Sequence, residues 1–222
     1  MLKVGRALRP KIVVVIGDFA DFYSVSAHSK DPKRAGRLKE ELKIVRAGLD
    51  DLDALRAEEK IFVEGNHEDR MRRYVQDKAP ELYTVVDMPG LLRLKSRGWK
   101  YVPYKDDTRV GKLYLTHDVG VAGRYSAFKA LDTYQHSVVT GHSHRLSYIV
   151  EGNAVGEYKV SAQFGWLGDV SKIDYMHRTT AKKNWPLGFG IGYLNPTTGI
   201  VYLVPVPIVK YSAVVNGKLY QA

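Results

Sequence analysis

Cysteine is absent from all 222 residues, which excludes disulfides and thiolate metal ligands and fits a reducing cytoplasm. Long apolar runs are absent as well. The stretch IVVVIG at 12–17 is strand-sized, well short of the roughly 18 residues a membrane helix needs, so no membrane association is expected. The N-terminus carries basic residues but no apolar stretch followed by a small-residue cleavage site, so no secretory signal is expected. No internal repeat, low-complexity tract or linker interrupts the chain. With 45% hydrophobic residues it is long enough to bury a sizeable core, and a single domain over residues 1–222 is expected.

Positive charge is in surplus: 34 Lys and Arg against 24 Asp and Glu, a net +10 and a pI near 9.6. Such a balance suits an anionic partner (nucleic acid, a nucleotide or an anionic surface), although a solvated surface would also account for it.

The front two thirds alternate between strand-like and helix-like segments. KIVVVIGD at 11–18 is a β-branched run that opens into a loop at Gly-Asp. Between Arg34 and Glu59 the residues Leu38, Leu42, Val45, Leu49, Leu52 and Leu55 recur at three- and four-residue steps, the pattern of a long amphipathic helix. KIFVEGNHED at 60–69 repeats the strand-then-glycine pattern, and RMRRYVQ behind it is helix-like. WKYVP at 99–103 and KLYLTHD at 112–118 read as strands, and VAGRYSAFKAL at 121–131 as a helix. The remainder is strand-rich, with NPTTG and VNGK as hairpin turn signals. The class is α/β, built on more than one sheet.

The chemistry gathers at strand ends. TGHSHR at 140–145 follows the apolar run SVV. If that run continued as a strand, alternation would send His142 and His144 to the same side, aimed at one point as metal ligands are. An isolated pair of this kind reads equally well as a turn cap beside a surface histidine, so other ligands must converge to decide it. Four strand-like runs do end in residues of metal-ligand or acid–base type: Asp18; Asn66 and His67; His117; and His142 with His144. The carboxyl ends of strands in an open α/β sheet face a common crevice. Carboxylate, amide oxygen and imidazole together suit Mn²⁺, Fe or Zn²⁺ better than Ca²⁺, and such ions serve phosphoester hydrolysis.

The stretches GDFAD, GNHED, LTHD and TGHSH, in this order, resemble motifs two to five of the calcineurin-like metallophosphoesterase superfamily, over residues 11 to about 145. GDFADFYSVSAHSKDP is most similar to stand-alone phage-type members. The resemblance implies a sandwich of two mixed β-sheets flanked by helices, and a metal-activated hydroxide as nucleophile. It also implies a divalent transition metal, with Mn²⁺ first and Fe, Zn²⁺ or Ni²⁺ as alternatives. By the same resemblance Asp18 bridges two metals. Asn66, His117 and His142 complete one site, and His144 belongs to the other. His67 donates a proton to the leaving oxygen, and Asp21 orients a histidine. The compartment becomes the host cytoplasm for a viral member.

The family's first motif, Asp-x-His on an earlier strand, has no counterpart in MLKVGRALRP, which reads as the helix after that strand. The expectation is therefore a first strand missing, one complete metal site, a second site incomplete, and a sheet edge that invites pairing with another copy. Asp21 or His28 could substitute as ligands. Arg70, Arg72, Arg73 and Arg124 follow the motif loops and could meet a phosphate, or else lie on solvated helix faces. His136 and His177 have no motif context and read as surface or core histidines. The segment 164–186 interleaves aromatic and basic residues, as single-stranded nucleic-acid contacts do and as pinned loops also do.

The leading function is a phosphodiesterase or nuclease. A phosphomonoesterase, a non-catalytic scaffold of the same fold, and a nucleic-acid binder that does not cleave are the alternatives.

Overall fold

The computed structural model describes residues 1–28, 37–169 and 185–221. The chain is mixed α/β and divides into two compact units, one from Met1 to Asp106 and one from Asp107 onward. Among the described residues no helix is long and apolar enough to cross a membrane.

The first unit is built on three parallel strands in the order β1-β2-β3: β1 (Ile12–Ile16), β2 (Glu59–Val63) and β3 (Trp99–Val102), with Val14 beside Ile61 and Ile61 beside Lys100. Parallel neighbours need crossovers, and helices supply them. α1 (Leu2–Leu8) precedes β1, α2 (Leu38–Asp53) links β1 to β2, and α3 (Asp69–Lys78) and α4 (Met88–Leu92) lie between β2 and β3.

The leucine periodicity of α2 is seen directly. Leu42, Val45, Leu49 and Leu52 are buried, and Leu38 and Leu55 pack against the same core. Burial of each such side chain contributes about 1.5–3 kcal/mol relative to exposure. Phe62 of β2 lies at the centre, edge-on to Phe19 at 6.1 Å and to Trp99 at 6.2 Å.

The helix is shorter than the periodicity suggests. It ends at Asp53, and Arg56 adopts a left-handed backbone (φ 57°) that turns the chain into β2. Asp53 is the reason this end is firm: Lys60 Nζ donates to its Oδ1 at 2.6 Å, Trp99 Nε1 to the same oxygen at 2.9 Å, and Arg97 Nη1 to Oδ2 at 2.7 Å. One carboxylate thus ties the helix end to β2, β3 and the turn before β3.

The second unit holds a five-stranded sheet in the order β4-β5-β6-β8-β7: β4 (Asp107–Val110), β5 (Leu113–Thr116), β6 (Val138–Thr140), β7 (Leu146–Gly152) and β8 (Tyr158–Phe164). β5, β6 and β8 run parallel, and the outer pairs β4/β5 and β7/β8 are antiparallel. α5 (Ser126–Tyr134) forms the crossover from β5 to β6 and buries Ala127, Ala130 and Leu131. It starts later than expected: Gly123 falls inside the stretch read as helix, and glycine in a helix interior costs more backbone entropy than other residues.

Two hairpins complete the unit. β9 (Gly188–Leu194) pairs with β10 (Val201–Pro207), and Asn195 accepts from Thr197 N and Thr198 N in the turn between them. β11 (Ser212–Val215) pairs with β12 (Lys218–Gln221) around Asn216 and Gly217, both left-handed as an Asn-Gly hairpin turn requires.

Burial works against the charged form of Asp53, but the hydrogen bonds from Lys60, Arg97 and Trp99 hold its pKa below the ordinary value. Its contribution is therefore complete above the ordinary carboxylate pKa of about 4 and is lost as pH falls through the lowered folded-state value. Asp53→Ala is expected to lower stability by about 1–3 kcal/mol at neutral pH in urea unfolding. The gap to wild type is expected to close on acidification, and a gap that does not change with pH would exclude this account.

Candidate metal centre

Within the first unit, parallel pairing places the carboxyl ends of β1 and β2 side by side. β1 leaves through Gly17 and Asp18, both left-handed (φ 73° and 53°), and β2 leaves through Glu64, Gly65, Asn66 and His67 into α3. Aspartate tolerates this conformation better than most residues, though at some cost in strain.

Glu68, fully buried, holds the two exits together. Its Oε2 accepts from Asp18 N at 2.9 Å and from Gly65 N at 2.8 Å, and its Oε1 accepts from Ala20 N at 2.7 Å. The loops approach so closely that a Cβ on Gly65 would collide with the backbone nitrogen and Oδ1 of Asp18. Asp18 Oδ1 in turn accepts from His67 N at 3.0 Å.

His67 is held from both sides. Its Nδ1 lies 3.0 Å from Asp21 Oδ1, and Arg70 Nη2 lies 3.0 Å from its Nε2. A guanidinium only donates, so Nε2 is the acceptor and Nδ1 carries the proton toward Asp21. Arg70 Nη1 also donates to Asp21 Oδ1 at 2.6 Å and to its carbonyl at 2.7 Å. Burial opposes the charge on Asp21, while His67 and Arg70 bring its pKa below the ordinary carboxylate value.

Two residues near this network are not among those singled out in the sequence. Glu41 on α2 is pushed up in pKa by burial and then by the charge of Asp21, against the backbone amides of Phe22 and Tyr23. Asp69, buried, draws Arg72 and Arg73 to itself, and Arg73 also donates to the Asn66 carbonyl at 3.1 Å. The three arginines behind the GNHE loop are thus all engaged with carboxylates in this structure.

Within the second unit, β5 and β6 are parallel neighbours with Thr116 beside Thr140, and Gly141 N donates to the His117 carbonyl at 2.9 Å. His117, 1% exposed, and His142 meet edge to face with ring centroids 5.3 Å apart.

The alternation expected of His142 and His144 does not apply. β6 stops at Thr140, and both histidines adopt left-handed backbone conformations (φ 43° and 55°), so the two-residue period of a strand is lost. His144 packs instead against Trp185 at 4.4 Å and Trp166 at 5.7 Å, and Trp166 Nε1 donates to the Trp185 carbonyl.

In the second unit His117 and His142 offer two imidazole nitrogens, and in the first unit Asp18 offers a carboxylate oxygen. Mixed oxygen and nitrogen donors without sulfur suit a first-row divalent ion. Of the other residues singled out in the sequence, His28 is exposed and its backbone N donates to Ser26 Oγ, and Arg124 is exposed before α5. His136 stacks on Tyr114 with the rings 10° from parallel. His177 lies outside the described residues, as does the segment 170–184 of the aromatic and basic stretch. The chain matches no protein-family model and no curated protein.

Glu68→Ala would strip the acceptor from three backbone N–H groups, and we expect a loss of at least about 3 kcal/mol in urea unfolding. Gly65→Ala is expected to be similarly damaging, because the loop cannot admit a methyl group where Asp18 sits. Wild-type stability in either variant would mean that the two strand exits are not packed as described.

Proposed function

We propose that this chain is a divalent-metal-dependent phosphoester hydrolase of the calcineurin-like metallophosphoesterase type, with phosphodiesters, nucleic acid among them, as the favoured substrate class. The observation that carries the reading is the pairing of His117 and His142 at the ends of β5 and β6; Asp18, at the end of β1, supplies the carboxylate ligand in this proposal. Asn66 completes the ligand set in this proposal, and the basic balance of the chain favours an anionic substrate. A divalent ion in such a site lowers the pKa of water and offsets charge on phosphoryl oxygens.

The chain's own residues supply the rest. Asp21 fixes the ring of His67 through Nδ1, which leaves Nε2 as the position that exchanges a proton. In the structure Nε2 accepts from Arg70. Uptake of a proton at Nε2 turns that atom into a donor for the leaving oxygen and ends its bond with Arg70. The freed guanidinium edge then matches the geometry of a phosphate oxygen pair. His67 is the general acid in this scheme, and Arg70 alternates between holding it and holding substrate.

The test is hydrolysis of a chromogenic phosphodiester by metal-stripped protein with Mn²⁺ restored, compared with the corresponding monoester. Metal-dependent turnover is expected, with a loss on the order of 10²-fold or more in His67→Ala. A faster monoester rate would move the assignment to phosphomonoesterases. Absence of turnover with Mn²⁺ bound would leave a binding protein.

A further inference from the structure

The tip that carries His142 and His144 is held from behind by one amide. Gln163, in β8, is 2% exposed, and its carboxamide is surrounded by three buried hydroxyl groups. Its Oε1 accepts from Ser143 Oγ at 2.8 Å and from Ser126 Oγ at 3.1 Å. Its Nε2 donates to Thr140 Oγ1 at 2.9 Å and to Ser126 Oγ at 3.0 Å. Both acceptor positions and both donor positions of the amide are therefore used.

The partners are not scattered. Ser143 stands between the two histidines, Thr140 ends β6 just before them, and Ser126 opens α5 at the far end of the loop that leaves His117. Ser143 Oγ also receives Arg145 N at 3.3 Å, so the serine is fixed on both sides.

We infer that Gln163 is the positioning residue of the histidine loop: through Ser143 and Thr140 it holds the left-handed backbone of His142 and His144, and through Ser126 it sets the loop that follows His117. The physical argument is one of competition. A left-handed histidine is an unfavourable conformation that relaxes unless its surroundings over-determine it. The serine between the two histidines has no freedom to follow such a relaxation while its hydroxyl is bound to a buried amide. A carboxamide suits the task because it both donates and accepts, and so can satisfy three hydroxyls without bringing a charge next to two imidazoles. The role in metal binding rests on the function proposed above; the mechanical role does not.

Amide hydrogen exchange in metal-free protein, together with Mn²⁺ titration calorimetry, separates the two. In Gln163→Leu, exchange over residues 141–145 is expected to accelerate at least about tenfold while β1 and β2 keep wild-type rates, and Mn²⁺ affinity is expected to fall on the order of tenfold. Gln163→Glu, which keeps acceptors for Ser143 and Ser126 but buries a charge, is expected to exchange over 141–145 more slowly than Gln163→Leu. Should Gln163→Leu fail to fold, Ser143→Ala removes the decisive bond alone and is expected to reproduce the faster loop exchange. A folded Gln163→Leu, or a Ser143→Ala, with wild-type exchange over 141–145 would overturn the inference. Accelerated exchange in the variants with no Mn²⁺ binding by the wild type would uphold the clamp and remove the proposed function instead.

Discussion

Three backbone N–H groups from two different strand exits converge on one buried carboxylate, that of Glu68, and the geometry of the first unit's loops follows from that constraint. A buried charge is tolerated only with strong partners, and backbone amides are partners that cannot rotate away. The loop bearing Asp18 and the loop bearing Asn66 and His67 are in this way placed as one piece. Asp18 can hold its left-handed backbone because its N–H is bound to Glu68 and its Oδ1 receives His67 N. The absence of a side chain on Gly65 is what lets the two loops touch.

The second unit meets the same need with a neutral group. Gln163 reaches from β8 to the ends of β6 and α5, as Glu68 reaches across from the start of α3. The difference fits the local charges. Around Asp18 the acceptor faces three backbone N–H donors. Behind His142 the groups to be satisfied are hydroxyls, and an amide can meet them in both directions. In each unit the side chains with candidate chemistry sit on loops, and a single polar side chain from an adjoining element gives those loops definition.

His67 shows how placement limits chemistry. With Nδ1 turned to Asp21 and Nε2 to Arg70, both ring nitrogens have partners within the first unit, and Arg70 is bonded to Asp21 as well. Arg72 and Arg73 are likewise drawn to Asp69. Arg70, Arg72 and Arg73, readable in the sequence as phosphate contacts or as parts of solvated helix faces, are, in the folded chain, partners of buried or half-buried carboxylates. Electroneutrality near a desolvated acid outweighs the solvation each guanidinium would have gained by pointing outward.

Local periodicity and turn chemistry were sufficient to read the amphipathic face of α2, the strands ending at Ile16, Val63, Thr116 and Thr140, and the Asn-Gly hairpin, because each depends on residues a few positions apart. The polar strand endings at Asp18, Asn66, His67, His117 and His142 were legible for the same reason. What the sequence could not decide is how those endings are held. Glu68 lies inside a recognisable motif without any sign that its bonds go back fifty residues to Asp18, and Gln163 is one amide in a short strand. The packing of His144 against Trp166 and Trp185 and the engagement of the arginines also depend on contacts distant in sequence. Such contacts are set by which backbone groups are buried together, and only the tertiary structure determines that.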